Sequence, residues 1–222
     1  MTIGIIIAMQ EEAKPYKKHI LTDQEIYGKK FLIGKIADKD IVICLSGIGK
    51  VNAAFACALM VERFKPDLII NTGVSGGLGV TKAYDIVIAD KAVQHDADTT
   101  ALGDPKGMVS TVNKIYFDTS KKHNELIKAY LDNACVGTVA CGDQFIADKR
   151  LASEIARQFN AIAVDMESAA VAQVAYITKT DLVIIRGISD GADEEAPVDF
   201  MSLIEQISQK IYEAVKKVIE RL

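Results

Sequence analysis

The chain has 222 residues, half of them hydrophobic and 25% charged, with a formal net charge of −4. That length suits one large α/β domain with a sizeable core, and the slightly acidic balance leaves no electrostatic footprint for nucleic acid or an anionic membrane. The apolar runs fall far short of the roughly 20 residues that span a bilayer, and Cys44, Cys57, Cys135 and Cys141, none in a C-x-x-C pair, read as buried free thiols of a cytoplasmic protein.

Thr2–Met9 is a continuous apolar run of strand length. Continuous rather than alternating hydrophobicity predicts burial on both faces, in the middle of a sheet with helices on each side. Without a basic n-region the run is a first strand and not a signal peptide. Gln10, Glu11 and Glu12 come next, then a helix over Ala13–Ile20 with Pro15 in its first turn, where proline is tolerated. Glu11 reads as compensation of the helix dipole; Glu12, just past a strand's carboxyl end, stays open as a functional group. Glu25–Lys35 and Asp40–Leu45 predict a hairpin turning at Ala37-Asp38-Lys39. Ser46-Gly47-Ile48-Gly49-Lys50 then leads into an alanine-rich helix from about Val51 to Phe64. A glycine loop before a helix can cradle an anion or a polar ligand. The phosphate fingerprints fail, however. G-x-G-x-x-G needs glycine where Asn52 stands, and the P-loop needs glycine at Cys44 and a hydroxyl at Val51.

Asp67–Asn71 is a second apolar strand, ended by Thr72-Gly73-Val74-Ser75-Gly76-Gly77, where small residues imply close backbone approach to a ligand or a loop. Tyr84–Val93 is the next strand and runs into Gln94-His95-Asp96-Ala97-Asp98. This cluster suggests a metal, but three histidines and no H-E-x-x-H-like ligand set argue against one, and no metal is expected. Thr99–Asn113 is a long irregular stretch of the kind found at functional sites or interfaces. Thr119–Leu131 is a surface helix capped by Thr119 or Ser120, Val136–Ala140 a short strand ending in Cys141-Gly142-Asp143-Gln144-Phe145-Ile146, and Asp148–Phe159 a helix.

Ile162–Val164 ends a buried strand, and Asp165, Met166 and Glu167 stand between it and a small-residue helix beginning near Ala169. A carboxylate at such a junction lies outside the carboxyl end of a strand, where open α/β sheets bind ligands. Asp165 as N-cap and Glu167 in the first turn are equally well explained by capping, worth roughly 1–2 kcal/mol together. Asp181–Ile188 is the last strand, followed by Ser189 and Asp190. From Asp199 one long helix presents Phe200, Leu203, Ile204, Ile207, Ile211, Val215, Val218 and Leu222 on one face. No repeat or linker divides the chain, so residues 1–222 are expected to form a single domain. Strand after strand ends in a glycine or a carboxylate. In a mostly parallel sheet these ends share one rim, suited to a small polar ligand with a planar ring.

Seven segments in order, IGIIIAMQEE, SGIGKVNAA, IINTGVSGG, HDAD, GDQFI, VDMESAA and RGISD, resemble the 5′-methylthioadenosine/S-adenosylhomocysteine nucleosidases of the nucleoside phosphorylase superfamily over the whole chain. The resemblance implies a three-layer α/β/α sandwich with a mixed, partly barrel-like central sheet. It also implies a homodimer with a neighbouring subunit's loop near each site, a small-molecule nucleoside substrate, and no cofactor. By resemblance Glu12 activates the attacking water and Asp190, with Ser189 beside it, protonates adenine N7. Glu167 holds the ribose hydroxyls with Met166 against the sugar, Phe145 stacks on adenine, and the Ile146 backbone reads its edge. Arg186 places Glu12 and water; Met9, Ile48 and Phe200 are pocket walls.

The chemistry suits these residue types. Adenine leaves poorly as an anion, so an acid protonates it while water reaches C1′ of an oxocarbenium-like sugar from the other face, the logic of an inverting glycosidase. The acid then needs a pKa raised by burial or by neighbouring negative charge. Three places depart from the family, the smallest being Asp165, where members often have a glutamate two residues before the ribose-binding one. Val74 stands where many members have a water-holding serine, with a hydroxyl one residue later on Ser75, and Leu102 and Asp104 replace aromatic residues of the 5′-thio pocket. A phosphorylase is the enzymatic rival, disfavoured by Asn71-Thr72 where phosphorylases tend to carry an arginine. A non-catalytic nucleoside-binding domain is disfavoured by the intact Glu12, Glu167 and Asp190, and a dinucleotide-dependent oxidoreductase by the failed glycine fingerprint.

Overall fold

The computed structural model describes every residue except Asp132. In chain order the elements are β1 (Thr2–Ile7), α1 (Gln10–Ala13), a 3-10 segment (Lys14–His19), β2 (Ile20–Ile26), β3 (Lys29–Ile36), β4 (Lys39–Leu45), α2 (Lys50–Phe64), β5 (Leu68–Gly77) and β6 (Ile86–Gln94). Then come β7 (Tyr116–Asp118), α3 (Lys121–Lys128), β8 (Cys135–Cys141), α4 (Lys149–Phe159), β9 (Ala161–Asp165), α5 (Ser168–Thr178), β10 (Leu182–Asp190) and α6 (Ala196–Ile219).

The strands make one mixed sheet. β2, β3 and β4 are an antiparallel meander, and β4, β1, β5 and β10 run parallel. β10 pairs antiparallel with β6, which runs parallel to β8, as β8 does to β9. β9 returns antiparallel to β5 through Gly76–Val164 and Gly77–Ala163, closing a ring of β5, β10, β6, β8 and β9. The central sheet is therefore mixed and partly a barrel, as expected. Helices cover both faces. Ile3, Ile5 and Ile7 of β1 join Ile204, Ile207 and Ile211 of α6 in one core. Ile6 joins Ala53, Ala56, Cys57 and Met60 of α2 in the other, together with α5. This is the double burial that the unbroken apolar run of β1 demands.

Several local expectations are corrected. The helix over Ala13–Ile20 is a single α-turn followed by a 3-10 segment. Pro15 supplies no N–H, so the turn tightens and Ile20 is free to begin a strand. The first hairpin arm, Glu25–Lys35, is itself divided: Tyr27 and Gly28, both at positive φ (50° and 74°), turn the chain between β2 and β3. Thr72–Gly77 is not a loop but the second half of β5. Its glycines let the strand bend against its neighbours, since a Cβ on Gly76 would lie 3.0 Å from Asp190 Oδ1 and one on Gly77 3.0 Å from Ile188. β10 likewise runs on through Ser189 and Asp190. The short β7 went unanticipated, and Ser120 sits at the N-cap of α3 with its hydroxyl bonded to His123 Nδ1 rather than to the backbone. The terminal helix begins at Ala196, with Pro197 in its first turn. Thr99–Asn113 stays mostly irregular, with 3-10 turns at Thr100–Leu102 and Ser110–Val112.

Candidate active site

The carboxyl ends of β1, β5, β9 and β10 converge, with the loops after β4 and β8, on a cavity of about 580 Å³, part of it open to solvent. Met9 and Glu12 enter from the end of β1, Ile48 from the loop before α2, and Val74, Ser75 and Gly76 from β5. Phe145 and Ile146 come from the loop after β8, Met166 and Glu167 from the β9–α5 junction, Ser189 and Asp190 from β10, and Phe200 from α6.

Glu12 is 5% exposed and gripped by two backbone donors. Met9 N–H donates to Oε2 at 2.9 Å and Val74 N–H to Oε1 at 2.8 Å. Burial pushes its carboxyl above the usual range, against the pull of these N–H groups and of the Arg186 charge. Arg186 lies behind the cavity wall rather than in it. Its Nη2 donates to Asn71 Oδ1 at 2.6 Å and pairs with Asp165 Oδ2 at 2.6 Å, all fully buried. Gly73 makes this packing possible: a Cβ there would stand 2.5 Å from Glu12 Oε1 and 2.6 Å from Arg186 Nη1.

Asp165 does the capping. Its Oδ1 accepts the N–H groups of Glu167 and Ser168 at 3.3 and 3.2 Å and the Ser168 hydroxyl at 2.8 Å. Glu167 is thereby left for the cavity, with Oε1 accepting the Gly49 N–H at 2.9 Å. Burial first, then the neighbouring Asp165 carboxylate, raises its pKa. Asp190 accepts from the Ser189 hydroxyl at 2.7 Å and from Ala192 N–H at 2.9 Å. Burial is the main force raising its pKa; the two donors oppose it, and Asp199 and Asp193 add to it. Phe145 is half-exposed at the mouth, edge-on to Phe200 at 5.7 Å between ring centroids. The Ser75 hydroxyl is buried in the wall without a protein partner.

Every charged residue lining the cavity is acidic: Glu12, Asp165, Glu167 and Asp190. Of the residues given catalytic or binding roles by resemblance, only Arg186 stands outside the lining. Sequence reasoning marked the Gly73 segment for close approach without saying to what, and it missed the links of Arg186 to Asn71 and Asp165. Nothing local marks those links; only the pairing of β5 with β10 brings Arg186 to Asn71. Leu102 and Asp104 do not line the cavity: Leu102 projects into solvent, and Asp104 Oδ2 accepts from Thr99 and Ser110 within its own loop at 2.7 and 2.6 Å. Among the described residues no helix is long and apolar enough to cross a membrane.

Residues 2–220 match the phosphorylase superfamily. A 5′-methylthioadenosine/S-adenosylhomocysteine nucleosidase of Staphylococcus aureus is 36% identical over 228 residues, covering 99% of this chain and 100% of that one. The nucleosidase of Streptococcus pneumoniae, solved with the transition-state inhibitor MT-ImmA, superposes with a TM-score of 0.94 at 33% identity, covering 100% of this chain and 99% of that one. A futalosine hydrolase mutant of Helicobacter pylori superposes with a TM-score of 0.96 at 30% identity over 100% of both chains. Matched along nearly its whole length by this superfamily and by these nucleosidases, the chain belongs to the phosphorylase superfamily and within it to the 5′-methylthioadenosine/S-adenosylhomocysteine nucleosidase family.

Proposed function

We propose that the protein hydrolyses the N-glycosidic bond of 5′-methylthioadenosine and S-adenosylhomocysteine, releasing adenine and the 5′-thio-substituted ribose. One observation carries the reading: Glu12 and Asp190, from opposite ends of the chain, share the wall of one cavity, both buried and both with raised pKa. Asp190 in its acid form gives its proton to adenine N7 as the C1′–N9 bond breaks. Glu12, with each oxygen fixed by one N–H, accepts a proton from the water whose oxygen bonds to C1′. The free Oε2 of Glu167 accepts from the ribose hydroxyls, and Met166 packs on the sugar. Phe145 stacks on the base, the Ile146 backbone and Ser189 border it, and Met9, Ile48 and Phe200 close around the 5′ side. Arg186 steadies Glu12 from behind. The surplus of carboxylates also favours the positive charge that develops on the sugar.

An acidic cavity disfavours the phosphorolytic alternative, because among the described residues no lysine or arginine lines it to hold phosphate. The test is adenine release from 5′-methylthioadenosine in phosphate-free buffer, then with phosphate added. Free methylthioribose at an unchanged rate is expected. A strict phosphate requirement, with a sugar 1-phosphate as product, would make the protein a phosphorylase. No adenine under either condition would remove methylthioadenosine as substrate and turn attention to other 5′-substituted nucleosides.

Residues 1–222 act on this reading as a single nucleosidase domain in a cytoplasmic homodimer, within methionine salvage and the recycling of S-adenosylmethionine by-products.

Gly73→Ala tests the bracing of Glu12. The added methyl group must displace Glu12 or Arg186, and a displacement on the order of 1 Å in a reacting group costs about 10²-fold. We expect kcat/KM to fall by about that factor in a protein that remains folded by circular dichroism. Activity within about threefold of wild type would mean that Glu12 tolerates the shift and is not positioned through Gly73.

A further inference from the structure

The His95–Asp98 motif has no part in this chemistry, yet it sits at the centre of a polar network. Asp96 Oδ1 pairs with Lys50 Nζ at 2.6 Å, and Asp96 Oδ2 accepts the Asp143 N–H at 2.9 Å. Asp143 Oδ1 in turn accepts the Lys50 N–H at 2.7 Å, and Lys50 Nζ also donates to Gln94 Oε1 at 3.0 Å. The Lys50 and Asp96 side chains are only 18% and 21% exposed, so this is not the freely solvated surface pair that contributes little. Asp96 lies below its usual pKa because Lys50 and the Asp143 N–H outweigh the effect of burial. His95 is buried beneath Gly142, whose missing side chain makes room for the ring.

The network joins two parts of the site. Gly49, next to Lys50, donates its N–H to Glu167, and its φ of 96° aims the loop at that carboxylate. Gly49 is also close to Asp143: a Cβ there would meet Asp143 Oδ1 at 3.0 Å. Asp143 begins the segment carrying Phe145 and Ile146. We propose that Lys50, Asp96 and Asp143 are positioning residues that lock the purine-facing loop to the ribose-facing Glu167, so that base and sugar are gripped at a fixed separation. The inference rests on the reading that Phe145 and Glu167 contact base and ribose. Covalently joined base and sugar demand that separation; free adenine does not, because it can follow a displaced loop.

The test compares KM for 5′-methylthioadenosine with the inhibition constant of free adenine in Asp143→Ala and Lys50→Met. Asp143 is exposed, so its alanine variant retains the core, and melting curves monitor both proteins. KM is expected to rise about tenfold or more, with a smaller fall in kcat, while the adenine constant rises less than about threefold. Lys50→Arg, which keeps the charge, is expected to recover most of the loss. Unchanged KM in the folded variants, with or without a lowered Tm, would make the network merely structural and overturn the proposal. So would equal rises in KM and in the adenine constant, because the network would then shape the base site alone. Phe145→Ala and Glu167→Gln run alongside: unchanged KM in those two removes the site reading itself, whereas raised KM there and unchanged KM in the network variants removes only the lock.

Discussion

Asp190→Asn is expected to lower kcat by about 10³-fold, within the range supplied by a positioned general acid. The substitution keeps the volume and one oxygen for the Ala192 N–H, while the Ser189 hydroxyl can turn to accept from the new NH₂, but it removes the transferable proton. The binding of 5′-methylthioadenosine should change by only a few fold, so the loss falls on kcat rather than KM. Stability should move the other way. Asp190 has its pKa raised by burial and by Asp199 and Asp193, so the folded protein binds that proton more tightly than the unfolded chain does. A carboxyl group of this kind destabilises the fold progressively as pH rises from the usual aspartate range through its raised value. The asparagine variant escapes that destabilisation. Its Tm should equal or exceed the wild-type value at neutral pH, with the difference shrinking in acid. Wild-type turnover in Asp190→Asn would remove Asp190 as the acid; a Tm below wild type at neutral pH would show that the Ser189 and Ala192 hydrogen bonds outweigh its burial.

Glu12→Gln should cost hydrolysis about 10²- to 10⁴-fold while substrate still binds, because the amide cannot take the proton from water. Both Glu12 oxygens accept backbone N–H groups, from Met9 and from Val74. Glutamine must turn its NH₂ toward one of these donors, and an unmatched buried donor costs about 1–3 kcal/mol. Against that, burial raises the Glu12 pKa, so glutamine also removes a charge that destabilises the fold at neutral pH. The two effects oppose each other, so the variant is expected to stay folded with a Tm close to wild type, and the loss falls on activity. Normal turnover in Glu12→Gln would mean that another group activates the water.

Much of this site was legible in the chain itself. Thr2–Met9, Asp67–Asn71 and Asp181–Ile188 are apolar runs of strand length, and a strand buried on both faces has no choice but to read that way. Glu12, the Gly73 segment and Asp190, each just past one of these runs, mark a rim because polar and flexible residues at strand ends have few structural uses there. The α6 stripe was equally plain, since Ile204, Ile207, Ile211, Val215 and Val218 repeat with the helix period and all are buried. The resemblance carried by seven ordered segments then supplied roles that spacing alone could not.

Less was legible where a strand had to bend. Thr72–Gly77 resembled a loop because its glycines and hydroxyls lack strand propensity, yet the pairing of Gly76 and Gly77 with β9 holds it in the sheet. Tertiary pairing overrides propensity in this way whenever its backbone hydrogen bonds and close packing outweigh the local preference. The division of the first hairpin arm at Tyr27 and the tightened turn after Ala13 were missed for the opposite reason: one or two residues changed the backbone within a stretch whose composition did not change.

The class of fold, the polar strand ends and the carboxylates at the site are each written in a few neighbouring residues and could be read from them. Which of these groups act together follows from how the strands pair. Arg186 reaches Asn71 across 115 positions, Val74 holds Glu12 across 62, and Lys50 meets Asp96 and Asp143 across 46 and 93. Pairing of β1 and β10 with β5, and the packing of the loop before α2 against those after β6 and β8, bring these distant positions within hydrogen-bonding distance, and no local pattern encodes a contact whose partner is set by how strands pair.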